Sequence, residues 1–169
     1  PFSLGIAAER DNIYWLFDGF HNTIAKYNFQ DPHPDHEHGG EDHSDGIIYR
    51  YDEVVVDRVA GLSSHMVVDS LNDMLYICDT GNQRVISIHI NSGEIGSILD
   101  PYGENIEGYY SMIGADFETV IDSGLVLPTG IDIYNTFLLV SDYSTGDIHI
   151  YDLDPSNQFQ LIHKLRTDI

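Results

Sequence analysis

Between His65 and Gly93 the chain reads HMVVDSLNDMLYICDTGNQRVISIHINSG, with the hydrophobic pattern of three short strands. Met66-Val67-Val68 is apolar, and Asp69 to Asp73 is a polar turn. Met74 to Cys78 is apolar throughout, and Val85 to Ile90 alternates with the period of two expected of a half-buried strand. The corner between them, Asp79 to Arg84, is rich in residues that accept positive φ or bond their own backbone. Asn91-Ser92-Gly93 closes the unit with another turn. The pattern occurs twice more, over 4–29 and 129–153. Each copy runs from a short apolar strand through a turn to a strongly apolar strand ending in aspartate, then a polar corner and an alternating strand. The aspartates are Asp18, Asp79 and Asp142, spaced 61 and 63 residues apart. A β-meander repeated at near-constant spacing, without long amphipathic helices, predicts a β-propeller rather than a helical solenoid.

The remaining pattern fits around these copies. Ile13 to Phe17, with the only tryptophan, Trp15, is apolar at every position, as in a strand covered on both faces. Ile47 to Tyr51, Val54 to Asp57 and Gln158 to Leu165 read as further strands, the last after a turn at Asp154 to Asn157. Two insertions break the rhythm, at 30–46 and 100–127. The second opens with a turn at Asp100 to Gly103 and holds one packed segment around Tyr109, Tyr110, Met112 and Ile113. Phe117, Val120 and Ile121 have helix-like spacing between Gly114 and Gly124. Such a connection either lines a rim, where it holds a small ligand or peptide, or forms a strand-like outer edge of a blade.

The central copy resembles an NHL repeat. The residues that carry the resemblance are Val68-Asp69, the run Leu75-Tyr76-Ile77-Cys78-Asp79-Thr80-Gly81-Asn82-Gln83-Arg84-Val85, and the turn Ser92-Gly93-Glu94. The outer copies keep the aspartate, the corner and the β-branched restart, but lack the Asn-x-Arg. The resemblance covers about half the chain in three pieces. It implies an all-β fold, a β-propeller of NHL type, with about three blades here out of six or so. Residues 1–169 then form a single, partial propeller domain. Family members mostly bind proteins, RNA or small ligands. One related branch, the peptidyl-hydroxyglycine lyase propeller, is a zinc enzyme.

Three blades do not close a propeller, which needs about four to eight. An open arc exposes a blade face and a strand edge. The start at Pro1 and the lack of a stop signal after Arg166 point the same way. The expectation is a fragment of a larger propeller, a proteolysed piece, or half of a symmetric assembly. The alternative is that the insertions supply extra strands.

The formal net charge of −21 repels phosphate, so nucleic acid is disfavoured as a partner. It suits cations, basic partners or simple solubility. The single cysteine, Cys78, forms no intrachain disulfide and reads as a small buried hydrophobe. No apolar run is long enough to insert into a membrane as a helix.

Candidate chemistry concentrates in QDPHPDHEHGGEDHSDG, residues 30–46, a composition that cannot pack a core. Imidazoles and carboxylates are natural ligands of zinc, copper and nickel, and a short His-rich tract is a metal-binding composition. His36 and His38 share one side of an extended chain, and His43 and Asp45 repeat the spacing. The candidate ligands are His33, His36, His38, His43, Asp42 and Asp45, for zinc or copper. Calcium is less favoured. The run from Glu41 to Asp52 faintly echoes an EF-hand loop, but His43 is wrong for a hard cation and flanking helices are absent. The bland reading is a polyanionic loop that picks up metal adventitiously. His65, at the start of an innermost strand, aligns with a zinc-ligand histidine of the lyase branch. That site needs three such histidines from several blades, and this chain offers one. The alternative for His65 is a channel-lining residue bonded to backbone. There is no Gly-x-Ser-x-Gly elbow, His-Glu-x-x-His or phosphate loop.

These observations predict a non-enzymatic binding or scaffold module, extracellular or secreted, with a metal-binding loop. Its partners are another protein or the remaining propeller blades, assembled through the open blade edge. The rivals are a metal-dependent, lyase-like propeller enzyme with its other ligands outside this chain, and a structural component of an extracellular assembly.

Overall fold

The computed structural model describes residues 3–30 and 44–167. Among them the chain forms fourteen strands in three sheets, with one 3₁₀ turn at Pro155–Asn157. The first sheet starts as a meander of β1 (Ser3–Ala8), β2 (Ile13–Asp18), β3 (Thr23–Asn28) and β4 (Ile47–Tyr51). The second unit runs through β5 (Met66–Asp69), β6 (Met74–Asp79) and β7 (Arg84–His89). The chain then makes a hairpin, β8 (Glu94–Ile98) and β9 (Gly108–Ile113), and returns as β10 (Phe117–Ile121), which pairs with β7. The third sheet is the meander β11 (Pro128–Tyr134), β12 (Phe137–Asp142), β13 (Asp147–Asp152) and β14 (Leu161–Arg166).

The β8–β9 hairpin does not stay with its own unit. β9 pairs in parallel with β4, so the first sheet has the order β1-β2-β3-β4-β9-β8. Of the two readings of the 100–127 insertion, the strand-like edge is the one observed. The helix-like spacing of Phe117, Val120 and Ile121 belongs instead to strand β10, whose Phe117 and Thr119 register against Ile88 and Ile86. The pairing offered by the β7 edge overrides a period set by three residues between two glycines.

The first strands of the three sheets lie side by side. Entering β5, the Ser64 amide donates to the Leu4 carbonyl at 3.1 Å and the His65 amide to the Thr129 carbonyl at 2.9 Å. Gly5 is what this approach requires, since a Cβ there would sit 2.0 Å from the Ser64 carbonyl oxygen.

Two cores follow from this stacking. Leu75, Ile77, Ile86 and Ile88 pack toward Trp15, Phe17 and Ile24 of the first sheet. Tyr76, Cys78 and Val85 pack toward Leu138, Val140 and Tyr151 of the third. The middle sheet is covered on both faces, which is why β6 is apolar at successive positions. Each such side chain contributes about 1.5–3 kcal/mol by leaving water. In β2 the expectation of two covered faces fails: Trp15 and Phe17 are buried, but Tyr14 and Leu16 are only half-buried. No sheet covers that second face among the described residues. The loop between β8 and β9 leans over part of it, where Glu104 and Ile106 join Tyr27 and Ile48 around a cleft of about 340 Å³.

Val54 to Asp57 is not a strand, contrary to its β-branched pattern. Val54 and Val56 are buried as alternation predicts, but the backbone bonds go elsewhere. The Val56 amide donates to the Asn22 carbonyl at 3.0 Å, and the Asp57 amide to a carboxylate oxygen of Asp79 at 2.7 Å. The segment is a connector held between the first two sheets.

Candidate functional site

The corner that carries the NHL resemblance is built as a clamp on that connector. Asp79 ends β6 fully buried. Its carboxylate accepts from the Asp57 amide, from Asn82 Nδ2 at 2.9 Å and from Arg84 Nε at 2.7 Å. Arg84 also donates to the Val55 carbonyl at 3.0 Å. Thr80 Oγ1 donates to the Pro128 carbonyl at 2.7 Å and meets Ser64 Oγ at 2.7 Å. The Gly81 amide donates to the Asp57 carbonyl at 3.0 Å, and a Cβ on Gly81 would come within 2.9 Å of Asp57. The side chains of Asp79, Thr80, Asn82 and Arg84 are thus occupied in joining strand, corner and connector.

The equivalent corners use the aspartate differently. Asp142 accepts from the Val126, Leu127 and Ser144 amides at 2.6, 3.2 and 3.0 Å, so it too holds the connector entering its sheet. Asp18 accepts from the Phe20 and His21 amides and from His21 Nδ1, the last at 2.6 Å. Backbone amides replace the Asn and Arg donors in the third sheet, and an imidazole replaces them in the first.

Exposed aromatic rings crown two of these corners. Phe20 and Tyr143 stand out from the β2–β3 and β12–β13 turns, and Tyr102 reaches from the β8–β9 loop to lie 6.5 Å from the His21 ring. Phe20 packs edge-on against the same imidazole at 4.7 Å.

Of the sequence-derived metal candidates, His33, His36, His38, His43 and Asp42 lie outside the described residues. Asp45 is half-buried at the foot of β4, where its carbonyl accepts from Gln30 Nε2. His65 is exposed at the start of β5, its backbone tied to Thr129 and Cys78, and it borders a shallow cleft with Ser63, Ser141 and Tyr143. Neither belongs to a group of three or more metal-ligating side chains among the described residues. The described residues around His65 therefore do not fit a catalytic zinc, which needs about three protein ligands.

Cys78 is fully buried, and burial pushes its thiol up, away from the reactive thiolate. Its Sγ lies 3.6 Å from the Gly130 carbonyl. Burial likewise pushes Tyr76 and Tyr151 up to about 12.

One polar pair escaped the sequence reading. His149 in β13 and Lys164 in β14 are cross-strand partners facing a cleft of about 330 Å³ between the second and third sheets. Burial and the nearby Lys164 ammonium hold His149 below the ordinary imidazole range, against the opposing pull of Asp142 and Asp147.

No family model and no curated protein matches the chain. Among solved structures it is similar to the crystal structure of a nidogen/laminin complex, at 16% identity and a TM-score of 0.29, over 98% of this chain and 80% of that one. A score that low bears on neither fold nor function. No helix among the described residues is long and apolar enough to cross a membrane.

Proposed function

We propose that the chain is part of an NHL-like β-propeller that acts as a non-enzymatic binding or scaffold module outside the cell. The observation that carries this reading is the repeated corner carboxylate. Asp79 and Asp142 each seize the connector entering their own sheet, and the first strands of the sheets run side by side. Both features support a radial repeat, a design whose corner turns carry recognition. Exposed Phe20, Tyr102 and Tyr143 on an acidic molecule fit a protein partner, since aromatic rings anchor such interfaces. The His-rich segment supplies the module with a divalent-metal site for zinc or copper.

Carbodiimide–dihydrazide cross-linking of the protein in its native source, mapped by mass spectrometry, tests the scaffold reading. Intermolecular links should gather at Asp100 and Glu104, the exposed carboxylates of the loop that carries Tyr102, and on the open sheet faces. Exclusively intramolecular links would contradict it. A lyase-like enzyme is the second reading, favoured only by exposed His65 at an inner strand. It requires an activity that His65→Ala removes without loss of fold.

A further inference from the structure

The cleft between the second and third sheets contains a polar atom that the fold leaves unused. His149 is 1% exposed. Its Nδ1 meets the Tyr151 hydroxyl at 3.2 Å, while its Nε2 is buried without a hydrogen-bond partner among the described residues. Buried polar atoms are nearly always paired, and a bare one calls for a missing partner. The same ring lines the cleft, with Val120, Ile121, Phe159 and Leu161 on the apolar side and Lys164 on the polar side.

The chemistry of the missing partner follows from the tautomer. A phenol is a stronger acid than a neutral imidazole N–H, so the tautomer assigned here has the Tyr151 hydroxyl donating to Nδ1. Nε2 then carries the proton, as a buried donor on a residue that lines the cleft. A bare N–H beside an ammonium seeks an oxygen that bears negative charge. Lys164 holds Asp147 only loosely, at 3.6 Å and partly in solvent, so its charge can be shared. A metal ion is the wrong occupant, because Nε2 has no free lone pair in this tautomer and Lys164 repels cations. Asp122 opposes an anion, but it lies exposed to solvent, where its charge is screened.

We propose that this cleft binds a small apolar carboxylate. The His149 Nε2–H and the Lys164 ammonium take its oxygens, and its hydrocarbon lies on Ile121 and Phe159. The cleft volume, near the lower end for small-molecule sites, suits one compact acid.

The test titrates 4-phenylbutyrate, and 4-phenylbutan-1-ol as its uncharged match, into the full chain while imidazole and amide NMR signals are followed. The acid should shift the His149 Nε2–H and the Ile121 and Phe159 amides saturably. The alcohol should bind at least about tenfold more weakly, and Lys164→Met should weaken the acid by a similar factor. His149→Phe, which fills the site with an apolar ring, should abolish acid binding in a chain shown by thermal unfolding to be folded. No saturable shift, or equal binding of acid and alcohol, overturns the proposal. That comparison uses the unmodified protein and so decides the matter even where a variant fails to fold. Undiminished binding by folded Lys164→Met overturns it as well.

Discussion

Asp79 ties three parts of this molecule together. Its carboxylate is fully buried and joins β6, its own corner and the connector from the first sheet. Asp79→Ala strands the Arg84 charge and leaves the Asp57 amide unpaired, so it should cost about 3–5 kcal/mol in chemical denaturation. Asp18→Ala should cost roughly 1 kcal/mol or less, since its bonds stay within one partly exposed turn. Gly5→Ala should destabilise by about 1–3 kcal/mol or more, because the new Cβ meets backbone rather than a movable side chain. His149 sets a pH dependence. Its folded-state value is depressed, so below about pH 6.5 the unfolded chain takes up a proton that the native chain does not. Stability therefore falls as pH drops through that window and recovers as it rises. Urea denaturation at pH 7 and pH 5.5 should show the wild type losing more stability than His149→Phe. Equal losses would mean that His149 titrates normally.

At the level of elements, the meanders were legible because each strand carries its own period and each corner its own turn residues. β2, β4, β6 and β12 fall where the apolar runs place them. β9 was legible as the packed segment around Tyr109 to Ile113, but the hairpin that holds it was not. All five residues of β8 are exposed, so no burial stripe marks it, and its parallel join to β4 is a long-range choice that no local pattern encodes. Val54 to Asp57 misled for the opposite reason: its valines alternate as in a strand, yet its backbone is claimed by Asn22 and Asp79. In β13, Ile148 and Ile150 suggest that their face is the inner one. The structure buries His149 and Tyr151 instead, because that face meets the second sheet. This reversal hid the His149 cleft from the sequence. Among the described residues, β8 also ends the first sheet as an unpaired edge carrying Ile95 and Ile98, both exposed. Replacing both with Lys should change stability by less than about 0.5 kcal/mol. Light scattering should meanwhile show reduced self-association. An unchanged scattering profile would mean that this edge is not what drives association.

At the scale of the whole molecule, a formal charge of −21 on 169 residues opposes compaction and calls for cations. Added monovalent salt should raise the thermal midpoint, because exposed carboxylates repel one another over distances that salt screens. On the proposed reading, the repeated meander, the exposed aromatic corners and the His-rich insertion belong to a scaffold that presents charge and metal ligands. Elemental mass spectrometry of the protein from its native source tests the proposed metal directly. Stoichiometric zinc or copper is expected, and it should disappear when His36, His38 and His43 are all replaced by Ala. Metal that persists in that variant, or protein that carries none, would contradict that expectation.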